Sequence, residues 1–508
     1  QLVLKRLDFR FKNIFLPWKS DKFFCFGKYN LCMLATCCLL IIAMYIDIFS
    51  FSVTLPIIAC EMDLSTSQQG LLSAVPLIGV MFSSYIWGFS ADTLGRRSSL
   101  LLAMPVGMLL NLAASLAPTY IALACLKLFS ACFTSSANAA GFVLLAESAP
   151  DKYRSKFVFL MASATLLYIM YFFAVVALPV LDMSFKVSIS WLSLTFSPWR
   201  LLMVITCAPG IFGILALLFL KESPKFLLSK GHDKNAMDVL KSIYKCNTGS
   251  PKESFPVSSV FLEDDTKPSN KNLLIKIWDQ TAPLFKRPLL RNNLLVYFML
   301  LCSFMISTGF TMWVPTMTNA YFTNEDSSGK TFCEVARTAA SSKNGTVDCD
   351  TAVKPLTLYV VIFYSGFSGI LNVLLTFVVG PLGKKRTTIL IFAIAAMCGV
   401  ILLFVRIPLL SIALFFGFLY ISLNLGNANT YLIENNPTHL RGMATCLSVV
   451  VARGFGFVSV QVIGTLLADN CTPMLIGYII YVITGGLGAA FLLPPDNNLK
   501  NILLYYYS

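Results

Sequence analysis

The sequence predicts an all-α membrane protein with twelve transmembrane helices in two pseudo-symmetric six-helix bundles. Composition is the first reason. Of 508 residues, 56% are hydrophobic and 13% charged, with mean hydropathy +0.73. A soluble domain carries about 25% charged residues, and a surplus of apolar surface this large suits a bilayer. Repetition is the second reason. Glu147, Pro150 and Arg154 form E-x-x-P-x-x-x-R, and Glu434, Pro437 and Arg441 repeat it 287 residues later. The turn Gly95-Arg96-Arg97 returns as Gly383-Lys384-Lys385, displaced by 288. A nearly constant offset argues for one duplicated unit. Charge placement is the third reason, because Lys and Arg concentrate in alternate connections.

Windows of about 20 residues give twelve spans. The first six are Leu31 to Thr54, Gly70 to Ser90, Ser99 to Leu116, Tyr120 to Ala146, Phe157 to Leu181 and Leu201 to Leu220. The second six are Asn293 to Tyr321, Leu356 to Val379, Thr388 to Phe404, Leu409 to Ile433, Met443 to Leu467 and Met474 to Leu493. Pro and Gly inside them are tolerated because neighbouring helices re-satisfy the backbone.

Charge sets the expected orientation. The first 30 residues carry seven Lys and Arg, and residues 221–291 carry thirteen. The positive-inside rule then places both termini in the cytosol. The expected organisation is a cytosolic tail at 1–30, a first bundle at 31–220, a cytosolic linker at 221–292, a second bundle at 293–494 and a cytosolic tail at 495–508. The second bundle includes an outer loop at 322–354. No cleavable signal peptide is expected, since the first long apolar run follows a basic tail. The net charge of +14 therefore reads as topology. Nucleic-acid binding would need a soluble basic face, and none is evident.

The outer loop offers modification chemistry. The sequons are Asn344-Gly345-Thr346 and Asn470-Cys471-Thr472, both in segments placed outside. Asn344 lies in the longer polar loop and is the expected glycan site. Cys333 and Cys349 share that loop and are expected to form a disulfide closing about 17 residues. Most of the fifteen cysteines fall in spans or on the cytosolic side, as reduced small hydrophobes. No His or Cys cluster has metal spacing, no cofactor is implied, and no clustered His, Cys or carboxylate constellation points to an enzyme.

The linker begins Glu222-Ser223-Pro224-Lys225-Phe226-Leu227-Leu228, and Lys252 to Asn272 is rich in Ser, Pro and charge. Gly88-x-x-x-Asp92-x-x-Gly95-Arg96-Arg97 resembles the loop between helices 2 and 3 of the major facilitator superfamily. E-x-x-P-x-x-x-R and E-S-P-K-F-L-L resemble its sugar-porter-like and organic-ion branches. Met62-Asp63-Leu64-Ser65, Tyr85-Ile86-Trp87-Gly88 and Ser197-Pro198-Trp199-Arg200 bring the likeness closer to the synaptic vesicle glycoprotein 2 and related-protein branch. The resemblance runs from about Gly27 to Pro495. The chain departs from it in places. Gly380 stands where the second turn's Asp belongs, Lys127 stands where helix 4 usually has Arg, and helix 5 lacks the glycine-rich antiporter motif.

The resemblance implies a secondary active transporter that moves a small organic solute, an organic ion by its branch, with or without a coupling proton or other ion. The second class is a transporter-fold vesicle protein that scaffolds or regulates. Either would be a multi-pass protein of the plasma membrane or a vesicle membrane. Gly88, Asp92, Gly95, Arg96, Arg97, Glu147, Arg154 and Glu222 form the expected cytosolic gate. Gly383, Lys384, Glu434 and Arg441 are its second-half counterpart. The alternative is that these bases merely obey the positive-inside rule.

Three charges lie deep within spans: Asp47, Lys127 and Arg453. A central charge costs about 2.5–3.5 kcal/mol on insertion scales, so it usually faces a cavity or a partner. Asp47 also matches an acidic position of helix 1 in the vesicle glycoprotein branch. Asp47 and Lys127 read either as a cation or proton site or as a structural pair. Arg453 reads as an anion ligand or a helix cap. Trp313, Tyr364, Asn424 and Asn427 complete the candidate pocket, with Tyr45, Tyr168 and Tyr420 as further aromatics.

Overall fold

The computed structural model describes residues 10–11, 27–150, 157, 160–161, 175–190, 194–255, 257, 260–261, 281–287, 289–323, 329–341, 354–436, 441–467 and 469–492. Among them, 11 helices are long and apolar enough to cross a membrane. They account for every expected span except Phe157 to Leu181, most of which lies outside the described residues.

In the first half, α1 (Lys28–Phe49) and α2 (Phe51–Glu61) make one long span. The spans α3 (Thr66–Thr93) and α4 (Arg96–Ala114) follow. Next, α5 (Tyr120–Thr134) runs through a π-turn at Ala137–Gly141 into α6 (Phe142–Ser148). The sixth span is α7 (Pro198–Ile205) with α8 (Ala208–Phe219). Between the halves lie α9 (Pro224–Ser229) and α10 (Asp233–Thr248).

The second half opens with α11 (Leu289–Thr311) and α12 (Val314–Thr323). The expected outer loop holds a helix of its own, α13 (Phe332–Ser341). The spans α14 (Pro355–Leu382) and α15 (Lys384–Leu402) follow. The next span breaks at a 3₁₀ turn, Tyr420–Leu423, between α16 (Pro408–Leu419) and α17 (Asn424–Asn435). The last two spans are α18 (Arg441–Leu466) and α19 (Cys471–Leu492).

Local chemistry fixes the helix ends. The Ser65 hydroxyl accepts the Gln68 amide while Gln68 Oε1 accepts the Ser65 amide, a reciprocal cap that starts α3. Thr119 caps α5 through the Ala122 amide. Pro355 and Pro408 open their helices, where no amide donor is needed. α10 is amphipathic: Ala236, Val239, Leu240 and Ile243 recur at helical spacing and are buried.

The duplication seen in sequence is also a duplication of backbone. Gly95 starts α4 at φ 108°, ψ 155°. Gly383 starts α15 at φ 86°, ψ 149°. A positive φ of this kind suits glycine and penalises other residues. The two halves meet along α3 and α18. A Cβ built on Gly70 would stand 3.4 Å from Gly464 Cα, and one on Gly454 would stand 3.1 Å from Met81 Sδ. α2 also packs against α12.

The expected Cys333–Cys349 bridge is corrected. Cys333 is bonded to Cys471, with the two Cα atoms 5.4 Å apart. α13 packs on α19, whose first residue is Cys471. Closeness in the loop therefore lost to closeness in the fold. Cys60, near the end of α2, is also disulfide-bonded. Cys349 and Asn344 lie outside the described residues.

Candidate functional site

Asp47 and Lys127 form a closed, fully buried network. Lys127 Nζ lies 2.5 Å from Asp47 Oδ1. It also donates to the Asp47 backbone carbonyl at 2.8 Å, Asn111 Oδ1 at 3.0 Å and Ser50 Oγ at 3.3 Å. Asp47 Oδ2 accepts from Ser130 Oγ at 2.8 Å and Thr134 Oγ1 at 2.9 Å. The ammonium also lies over the Phe51 ring, 5.3 Å from its centroid. Every oxygen of the carboxylate and every proton of the ammonium has a partner. All these groups belong to α1, α2, α4 and α5, or to Ser50 between the first two, so the network sits within the first bundle. Sequence reading found the charged pair but missed Asn111, Ser130 and Thr134. A signal was available, because Lys127, Ser130 and Thr134 recur at helical spacing on one face of α5.

A second network fixes the turn before α4. Arg96 Nε lies 3.2 Å from Glu147 Oε2, and Arg96 Nη2 lies 3.1 Å from Asp92 Oδ1. The Asp92 side chain is 73% exposed, whereas Arg96 and Glu147 are only 13% and 12% exposed. The Arg96 guanidinium also covers the Phe226 ring at 5.0 Å. Glu222 accepts the backbone amides of Arg97 at 2.9 Å and Ser98 at 3.2 Å. It thereby puts a carboxylate on the positive end of the α4 dipole. Arg97 donates to the carbonyls of Leu217 at 3.2 Å and Leu218 at 3.0 Å at the end of α8. Ser223 joins this network to the linker: its hydroxyl bonds Glu147 Oε2 at 2.5 Å and accepts the Phe226 amide at 3.1 Å. Gly88 has open space on its Cβ side. Of the second-half counterpart, Gly383 repeats the turn, and Lys384 has interactions of its own. Arg154 and the side chains of Glu434 and Arg441 lie outside the described residues.

A third cluster went unread as chemistry. Glu61 Oε2 accepts from Trp199 Nε1 at 2.5 Å and Ser197 Oγ at 2.9 Å. Arg200 Nη2 lies 3.5 Å from Glu61 Oε1, and its Nη1 donates to the Ser115 and Ala117 carbonyls at 3.0 and 2.8 Å. This cluster ties α2 and α7 to the end of α4.

The remaining pocket candidates divide. Trp313 sits between α11 and α12, fully buried, with its indole N–H toward the Val460 carbonyl at 3.4 Å. It holds the broken helix against α18. Tyr364 stacks on Phe416 at 4.4 Å and Tyr420 at 5.6 Å, within the second bundle. Asn424 donates to Ser303 Oγ at 3.3 Å. Its Oδ1 and the Asn427 amide nitrogen are buried without a hydrogen-bond partner among the described residues. Arg453 is 6% exposed and lies across the junction of the halves, with Cζ 5.4 Å from the ring centroid of Tyr45 on α1. Tyr168 lies outside the described residues.

A model of the "Major Facilitator Superfamily" matches residues 37–460. SVOPL of Mus musculus is 32% identical over 206 residues, covering 40% of this chain and 38% of that protein. Synaptic vesicle glycoprotein 2B of Homo sapiens is 25% identical over 310 residues, covering 56% and 44% respectively. The matches thus span less than half the length of these two curated relatives. Among solved structures, the inward open conformation of the xylose transporter XylE from E. coli superposes with TM-score 0.64 at 15% identity, covering 94% of this chain and 99% of that one. A variant of the nucleoside transporter NupG superposes at 0.60 with 12% identity, covering 92% and 100%. At these identities the likeness is one of fold.

Proposed function

The chain belongs to the major facilitator superfamily, and on that premise we propose that it is a secondary transporter that moves a small organic ion by alternating access. It is an integral, multi-pass membrane protein whose nearer relatives lie in the vesicle glycoprotein 2 and related-protein branch. The observation that carries the reading is the set of polar groups left open deep in the membrane. Arg453 is buried with the Tyr45 ring as its described charge-type contact, and Asn424 Oδ1 and the Asn427 amide nitrogen are buried without a hydrogen-bond partner among the described residues. Such groups are costly without partners and mark substrate paths. The Asp47–Lys127 network is saturated instead.

The network of Arg96, Glu147, Glu222 and Ser223 serves as the gate of the first half, on the face that charge assigns to the cytosol. It locks the start of α4 to the ends of α6 and α8. Rocking of one bundle against the other changes which mouth is closed. The Asp47–Lys127 pair is proposed as a clamp inside one bundle that moves as a rigid part. Plasma or vesicle membrane is the proposed setting.

Uptake into proteoliposomes holding the purified protein tests the reading, with a panel of labelled organic anions, cations and sugars at two pH values. Uptake of at least one member above empty vesicles is expected. A folded protein that moves none of them would favour the scaffold reading, toward which Gly380 in place of the second turn's Asp already leans.

A further inference from the structure

We infer that the transported solute is an organic anion whose oxyanion group is bound by Arg453. This deepens the transport reading and rests on it. Arg453 lies in α18, twelve residues after the start of that helix at Arg441, about 18 Å of helical rise. That is mid-membrane depth. The residue is buried, and its one described contact of charge type is the face of Tyr45. No hydrogen bond or ion pair to Arg453 exists among the described residues.

From Pro355 to Leu492 the chain holds two carboxylates, Glu434 and Asp469. Glu434 precedes Arg441 at the far end of the span. Asp469 follows Arg453 by sixteen residues, about 24 Å of helical rise. The stretch 158–174 has neither Asp nor Glu. In the first bundle, the one deep carboxylate is Asp47, and both of its oxygens are taken by Lys127, Ser130 and Thr134. The clamp is neutral as a unit. The midplane therefore carries one uncompensated positive charge, set between the two bundles where Tyr45 and Arg453 meet. A cationic solute would be repelled there. An oxyanion would take the planar fork of the guanidinium through two parallel hydrogen bonds. The open Asn427 amide nitrogen is a further buried donor, on the neighbouring α17.

The test is binding, read separately from flux. Thermal unfolding of the detergent-purified full chain is followed with benzoate, succinate, methanesulfonate or inorganic phosphate, and with tetraethylammonium or xylose as contrasts. At least one anion is expected to raise the unfolding temperature. Arg453→Gln should weaken that anion's apparent affinity by about tenfold or more, and Arg453→Lys by less, because a lysine keeps the charge but loses the fork. The unliganded Arg453→Gln protein should unfold no earlier than wild type, since an unpaired buried charge has been removed. A large loss of unliganded stability would mark Arg453 as a structural cap and overturn the inference. So would stabilisation by the contrasts alone, anion binding unchanged by Arg453→Gln, or no response to any anion at millimolar concentration. Anion binding through Arg453 without proteoliposome flux would instead overturn transport and leave the anion site standing.

Discussion

The carboxylate of Glu222 occupies the space that a side chain on Gly95 would need. A Cβ built on Gly95 would stand 2.5 Å from Glu222 Oε2 and 3.0 Å from Phe226 Cε1. Glycine at this turn thus permits both the positive φ and the approach of the linker that caps α4. Gly95→Ala is expected to cost about 2–4 kcal/mol, from backbone strain and from displacing a charged cap. Gly88→Ala is its control, because open space faces that position. Thermal unfolding of both variants checks this; equal stabilities would refute the packing account.

Within the same gate, Glu147→Gln should reduce flux more than Asp92→Asn. Glu147 is largely shielded and bonds both Arg96 and Ser223, whereas Asp92 is largely exposed. An exposed pair is worth at most about 1 kcal/mol. Uptake normalised to the amount of folded protein is the measurement, and the reverse order would contradict the geometry.

Asp47→Asn and Lys127→Gln should each destabilise the fold by about 3–5 kcal/mol, because each leaves a buried partner uncompensated. The double variant should recover most of the loss. A single Asp47→Asn protein with wild-type stability and flux that has lost its pH dependence would turn the clamp into a proton site.

Non-reducing peptide mapping should recover Cys333 linked to Cys471. Cys471→Ser should lower stability by about 2–5 kcal/mol, as removal of a native bridge usually does. Linkage of Cys333 to Cys349 would restore the pairing expected from the loop. Asn344→Gln is expected to sharpen and speed the protein's gel band by removing a glycan.

Orientation has its own test. A sequon engineered between Lys252 and Asn272 should stay unglycosylated if that linker is cytosolic. A glycan there would invert the topology.

α13 should loosen in acid. The Thr331 backbone amide donates to Glu334 at 2.7 Å and holds this carboxyl below its usual range. A depressed folded-state pKa stabilises above the unfolded value and is lost as pH falls through the folded one. The protection of the α13 amides, taken relative to the intrinsic exchange rate at each pH, should therefore fall in acid, and Glu334→Gln should remove that dependence.

Periodicity and charge placement in the sequence determined the bilayer setting, the 11 spans found among the described residues and the repeated turn, because bilayer thickness and backbone satisfaction leave a chain few choices. The turn glycines were legible for a similar reason: Gly95 and Gly383 have one local conformation to serve. Pairing was not legible. Asp47 and Lys127 were visible as a possible couple, but Ser130, Thr134 and Asn111, which close it, are ordinary polar residues until packing brings them to one point. Cys333 found Cys471 across 138 residues rather than the cysteine in its own loop. Arg453 shows the same limit from the other side. Sequence made it a buried charge, and only the fold decided that no carboxylate among the described residues comes within its reach, because contact is set by which helix faces meet and not by distance along the chain.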